Sequence, residues 1–271
     1  MDMDWIIPDW SAPSGVRALV TTREGPEDHC ESPFGFNIGT RCGDDPEIVA
    51  RNRACLREVL ALPSDPCWLR QVHAASVVSF PSLPLAGEGS PRIARAGEGK
   101  APRNLQEPEA DAALTHMPGV VLAIQTADCL PVLFRAEDGS TIAAAHAGWR
   151  GLCAGVLEAA VAAMETPSQK IMAWLGPAIA AQSYEVGDEV RDAFIAHDPA
   201  AASAFTPTRP EHWLCDLYEL AHQRLQRAGV AQISGGGFDT FTDSRLHSYR
   251  RDGARSGRMA SLIWLESSAS Q

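Results

Sequence analysis

Between residues 110 and 175 the chain is a succession of short apolar runs, at 120–125, 131–134, 141–145 and 170–175. Each is too short for a globular helix and is bounded by Gly, Pro, Asp or Ser, which reads as strands. Residues 16–22 form a further β-branched run, and 258–265 (Arg-Met-Ala-Ser-Leu-Ile-Trp-Leu) close the chain as a last strand. Asp44-Asp45-Pro46-Glu47 is a helix start, with a capping carboxylate, Pro at the first position and acid in the first turn. That helix is expected to reach about Leu60, with Val49, Leu56, Val59 and Leu60 facing inward. Others are expected at 149–164, 186–196 and from the cap Asp216 to Ala228, where Gly229 ends it. Strands and helices mix without strict βα alternation. The fold class expected is therefore α+β, a single-domain layered α/β sandwich with mixed sheets over residues 1–271. Residues 82–109 hold Pro84, Pro91, Pro102 and Pro108, repeat Ala-Gly-Glu-Gly and have no hydrophobic period, so they read as a flexible surface loop inserted within the domain.

The charge balance narrows the function. The formal net charge is −11, from 23 Lys+Arg against 34 Asp+Glu, which repels nucleic acid and anionic membranes except at a local basic patch. Asp128 interrupts the best apolar run, so no membrane span is expected, and the acidic start lacks a secretory pattern. Seven Cys without a C-x-x-C pair read as reduced thiols of a cytoplasmic protein.

Three residues far apart carry metal-binding chemistry: His73, Cys129 and His146, each at or near the end of a strand-like run. Two imidazoles and a thiolate suit zinc, and three ligands instead of four leave a position for water or substrate. Taken singly, each has a plainer reading, since a lone His beside an apolar strand is more often a satisfied core residue and a Cys in such a run a small hydrophobe. Asp128 resists that reading: a carboxylate in an apolar run needs partners, and it would orient a ligand His, accept from backbone N–H groups or serve as a proton acceptor. His146 leads into Ala147-Gly148-Trp149-Arg150-Gly151, a glycine-rich strand-to-helix turn suited to an anion, with Arg150 as a planar fork. The alternative there is a close-packed turn with Arg150 in water. Arg250, Arg251 and Arg258 make a third constellation, with Arg23 and Arg53 as earlier candidates. It reads equally as an oxyanion site or as a hairpin with solvated arginines.

Gln71-Val72-His73, Thr126-Ala127-Asp128-Cys129, His146 to Gly151, Gly176-Pro177-Ala178-Ile179, Ser248-Tyr249-Arg250-Arg251 and Gly257-Arg258-Met259-Ala260 occur in this order, together with Thr22-Arg23, Asn37-Ile38-Gly39 and Asn52-Arg53. In this the chain resembles the YfiH-like, laccase-domain proteins, once called multicopper polyphenol oxidoreductases and now described as purine nucleoside phosphorylases. The resemblance implies one zinc on His73, Cys129 and His146, copper being the other candidate metal. Asp128 and Gln71 would support the metal, and Arg150, Arg23, Asn37, Arg53 and Arg250 would hold substrate or phosphate. It further implies phosphorolysis of adenosine, inosine, guanosine and methylthioadenosine, with adenosine deamination as a second activity. Partners would then be purine nucleosides and phosphate, and the protein a monomer or small homo-oligomer. Two positions depart from the pattern: Asp239-Thr240 stands where many members carry Cys-Thr, and Ala74 where many carry Gly.

Three other functions compete. Copper-dependent phenol oxidation needs many imidazoles, and eight His with no His-x-His pair argue against it. A metal-free cysteine hydrolase would use Cys129 as nucleophile and His146 as base. A metal-holding interaction module is the non-enzymatic reading.

Overall fold

The computed structural model describes residues 4–11, 13, 15–26, 32–80 and 107–266. Within them the chain runs β1 (Val16–Val20), α1 (Pro46–Val59), β2 (Val77–Ser79), β3 (Ala112–Thr115), β4 (Val121–Thr126), β5 (Leu130–Ala136), β6 (Ile142–Ala147), α2 (Trp149–Ala154) and α3 (Val156–Ala163). It continues through β7 (Ile171–Leu175), β8 (Glu185–Gly187), α4 (Asp188–His197), β9 (Phe205–Arg209), β10 (His212–Cys215), α5 (Leu217–Arg227), β11 (Gln232–Gly235), α6 (Tyr249–Asp252) and β12 (Met259–Leu265).

A six-stranded mixed sheet, β11-β7-β5-β6-β3-β2, is parallel only at its two outermost pairs. A three-stranded antiparallel sheet, β1-β12-β4, faces it. Side-chain alternation sets the layers. On β6, Ile142 and Ala144 enter the layer between the sheets, whereas Ala143, Ala145 and Ala147 enter the layer containing α2, α3 and α5. Leu122, Ile124, Met259 and Ile263 likewise face the large sheet, and Val121, Ala123, Ala260 and Leu262 face α1. Both sheets are covered on both faces, so their strands read as continuous apolar runs instead of alternating ones. The order α1, small sheet, large sheet, helices is the expected α+β sandwich with mixed sheets. A second three-stranded antiparallel sheet, β8-β10-β9, packs against α4.

Local chemistry explains the helix boundaries. The Asp45 carboxylate accepts the Glu47 N–H at 2.8 Å and so starts α1, but Val59, expected inside, is 41% exposed. Asp216 caps α5 through the Glu219 N–H, and Gly229 leaves the helix at φ +88°. The helix expected over 149–164 is two helices, because Gly155 adopts φ +94° between α2 and α3. The one expected from 186 starts at Asp188, since Val186 pairs with Trp213 in β8. Residues 248–258 are no hairpin: Ser248 caps the short helix α6 by accepting the Arg251 N–H. Of the insertion expected at 82–109, residues 82–106 lie outside the described residues. Among the described residues no helix is long and apolar enough to cross a membrane.

Candidate functional site

Asp111, at the entry to β3, is fully buried and organises two segments at once. Its Oδ1 accepts the His73 N–H at 2.9 Å and faces His146 Nδ1 at 2.8 Å. Its Oδ2 accepts the Val72 and Ala74 N–H groups at 3.1 and 2.8 Å. Its carbonyl accepts the His146 N–H at 2.7 Å. Burial pushes this carboxyl upward, but the His146 ring and the backbone donors outweigh it and hold it below the usual carboxylate range. The same three donors fix His73 at φ +61°, a left-handed conformation that is uncommon outside glycine. Gln71 pins the segment to β4: its amide donates to the Gln125 carbonyl and accepts the Gln125 N–H, both at 2.8 Å.

Cys129 ends the turn between β4 and β5. Beside it Asp128 sits at φ +84°, and its carboxylate accepts the Thr240 hydroxyl and the Arg250 N–H, each at 2.6 Å. Of the tasks expected of Asp128, the structure shows the backbone-binding one. The histidine is held by Asp111, which the sequence reading missed. The signal available was a carboxylate standing directly before the apolar run Ala112-Ala113-Leu114.

The donor atoms of His73, Cys129 and His146 all lie within 4.8 Å of one another. The imidazoles meet edge to face, with centroids 4.7 Å apart and planes at 81°. Gly148 closes the cluster from below. A Cβ there would stand 3.0 Å from Cys129 Sγ, 3.1 Å from His73 Cδ2 and 3.5 Å from His146 Cε1, so any side chain at this position would crowd the donors. A Cβ on Gly151 would press on the Ala74 carbonyl at 2.9 Å. Burial opposes ionisation of Cys129, but attraction and hydrogen bonds from His146, then His73, bring its pKa down to about 6. Burial also opposes charging His146, yet Cys129 and Asp111 raise it to about 9. The thiolate is the metal-binding form. With the Nδ1 proton directed at Asp111, His146 would offer an Nε2 lone pair to the cluster once a bound metal displaced its second proton. The donor set and its spacing therefore fit a metal ion.

The cluster opens into a cavity of about 540 Å³. Its walls are apolar and aromatic at Leu69, Trp149, Ile179, Tyr184 and Tyr249, and cationic at Arg41, Arg150, Arg250 and Arg258. Gln71 and Asp128 also reach it. Arg150 lies 4.3 Å over the Trp149 ring, and Arg250 lies 5.3 Å over Tyr184. Three residues expected at the substrate do not line the cavity. Arg23 is paired with Asp252 at 3.2 Å. Arg53 stacks 4.1 Å over Trp68, donates to the Ile38 carbonyl and pairs with Glu107. Asn37 is fully buried and spends its amide on Gly39, Asp44 and the Arg258 N–H. Arg251 is turned into its own loop, donating to the Thr240, Asp243 and Leu246 carbonyls. Asp239, at the position that departs from the family pattern, accepts from Ala180, Ser183 and Thr242 and shapes the turn before Thr240.

A family profile described as multi-copper polyphenol oxidoreductase laccase matches residues 17–266. The chain belongs to that family. It is 49% identical to a purine nucleoside phosphorylase of Xylella fastidiosa, over 96% of this chain and 97% of the relative. It is 44% identical to the purine nucleoside phosphorylase YfiH of Escherichia coli, over 96% and 98%. A crystal structure of a Neisseria meningitidis protein superimposes with a TM-score of 0.85 at 42% identity, covering 97% of this chain and 100% of that one. The family match spans both histidines, the cysteine and every arginine of the cavity wall.

Proposed function

We propose that this protein is a purine nucleoside phosphorylase acting at a zinc ion held by His73, Cys129 and His146, with adenosine deamination as a second activity. The reading treats residues 1–271 as one catalytic domain with the 82–109 segment inserted. The observation that carries it is the convergence of two imidazoles and a thiolate at the floor of a cavity with aromatic and cationic walls. The full-length relatives named for this activity support it.

Trp149, Tyr184, Tyr249 and Leu69 offer flat apolar surface for a purine ring. The guanidinium groups of the wall offer donors to phosphate. Holding nucleoside and phosphate in one enclosure removes the entropic cost of their encounter, which is worth several kcal/mol of barrier. Phosphate then attacks the anomeric carbon as the glycosidic bond breaks, and its own negative charge stabilises the developing oxocarbenium. Bound zinc would supply Lewis acidity and an acidified water, the chemistry that deamination requires. Asp111 would keep the proton on Nδ1 of His146, and Gly148 would leave the donors their space. The test is adenosine incubated with and without phosphate, with adenine and ribose-1-phosphate quantified. Adenine that forms only with phosphate supports the proposal, and its absence in metal-replete protein overturns it.

One feature favours a second reading. Asp111, His146 and Cys129 also have the connectivity of a nucleophile triad, which would make the metal-stripped protein a cysteine hydrolase. His73 has no place in that chemistry but completes a metal site. Activity that tracks metal content, with none in stripped protein, decides for the metal.

A further inference from the structure

Resting on the phosphorylase reading, we infer that Arg258 is the anchor of an oxyanion subsite in the cavity wall, with its Nε–Nη2 edge as the binding edge for a phosphate group. The family motifs pointed to Arg23, Asn37 and Arg53, which lie outside the cavity. Of the three, Asn37 holds Arg258 instead.

Its backbone is clamped on both sides: the N–H donates to Asn37 Oδ1 at 2.8 Å, and the carbonyl accepts the Ile38 N–H at 3.3 Å. Its stem lies on the bare Cα of Gly39, where a Cβ would come within 2.6 Å of Arg258 Cγ. Its Nη1 donates to the Ser256 and Gly257 carbonyls at 2.8 and 2.9 Å. Its guanidinium sits 5.9 Å from the Tyr249 ring centroid. All its side-chain hydrogen bonds therefore leave from one nitrogen. Among the described residues Nε and Nη2 have no protein acceptor, and no carboxylate pairs with the group. An Nε–Nη2 edge is the fork that meets two oxygens of a tetrahedral oxyanion side-on.

The other arginines of the wall are different. Arg41 is neutralised by Glu107 at 2.7 Å. Arg150 and Arg250 are exposed, Arg150 lying over Trp149 and Arg250 over Tyr184 with one bond to the Glu185 carbonyl, so solvent screens their charge more than that of Arg258. Arg258 is half-buried and already fixed, so its binding edge is prepaid in conformational entropy. A half-buried cation without a counter-charge is costly. In a chain of net charge −11, that charge is best explained by a ligand that brings the missing anion.

The test measures binding of inorganic phosphate at constant ionic strength by calorimetry, and of adenosine monophosphate in a parallel arm. Wild type is set beside Arg258→Gln, Arg258→Lys and the charge-matched surface control Arg17→Gln, all checked for folding by circular dichroism. Gln should weaken phosphate binding by roughly ten- to a hundredfold, the worth of a charged hydrogen-bond pair. Lys, which keeps charge but not the fork, should fall between Gln and wild type. In adenosine phosphorolysis the KM for phosphate should rise with the KM for adenosine nearly constant. Arg258-dependent binding of the monophosphate alone would assign the same subsite to a nucleotide's phosphoryl group. Equal phosphate affinity in wild type, Gln and Lys proteins, or no binding of either probe to wild type, overturns the subsite. Arg258-dependent phosphate binding without any phosphorolysis would keep the subsite and remove the phosphorylase reading. Phosphorolysis indifferent to Arg258 would do the reverse.

Discussion

The His-Cys-His cluster and the arginine wall border the same cavity, but they are built in opposite ways. Cys129 and His146 are fixed at strand ends and His73 in a bend, and one buried carboxylate, Asp111, serves both histidines. Arg250, on the short helix α6, and Arg258, just before β12, are held by side-chain-to-backbone bonds over long sequence separations, from Asp128 and Asn37 respectively. The first region derives its precision from the sandwich, the second from a few polar residues that stitch loops together. Substitutions should therefore separate: those at the cluster alter metal binding, and those at the stitches alter anion binding.

The largest effect is expected at His146. His146→Ala should abolish stoichiometric metal by elemental analysis and lower phosphorolysis more than about a hundredfold, beyond the loss of a supporting group. Asp111→Asn comes next. Asparagine cannot accept from the His73 N–H and His146 on one oxygen and from Val72 and Ala74 on the other, because one position becomes a donor. Metal affinity, read by chelator competition, should fall by about ten- to a hundredfold. Unchanged affinity would mean that the carboxylate is not what organises the cluster.

A third experiment probes the charge crowding of the wall. His247 is buried next to Gly257, and its pKa is lowered to about 4, first by burial and further by Arg23 and Arg258. An unfolded His titrates near ~6.5. Between those values the unfolded chain binds a proton that the folded one refuses, so stability is complete above ~6.5 and declines as pH falls toward 4. At pH 5 the loss should be about 2 kcal/mol. Urea midpoints at pH 7.5 and 5 should show it in wild type and show it diminished in His247→Gln; equal slopes would contradict the burial argument.

The smallest effect belongs to Asp128→Asn. Asparagine tolerates φ +84° but loses one acceptor, costing about 1 kcal/mol. The KM for phosphate should rise a few-fold while metal content stays whole. Metal loss in this variant would break the separation between the two regions.

The sequence made some of this legible and not the rest. Strands covered on both faces are written as apolar runs, so the core of the sandwich could be read directly. Cys129 and His146 were visible because they interrupt or terminate those runs, whereas the strand-like run expected to end at His73 holds only isolated bridges at Cys67 and Arg70. Strands β2, β3 and β8 to β11 were missed: most are short, and β9 and β10 are only partly covered, so no clear period marks them. Asp111 was missed because its four hydrogen-bond partners come from segments about 35 residues away on either side. Motifs drew attention to Arg23, Asn37 and Arg53, yet a motif does not distinguish a residue that touches a ligand from one that fixes its neighbour.

The carboxylate of Asp111 acts on backbone N–H groups and a ring nitrogen, none of which needs an ion to be present. The receptacle is thus completed by folding, in contrast to zinc fingers, where the ion is what makes the chain fold. A metal bound there would load late and reversibly: apo-protein should emerge from synthesis intact, and the ion it takes up should follow from what its surroundings provide.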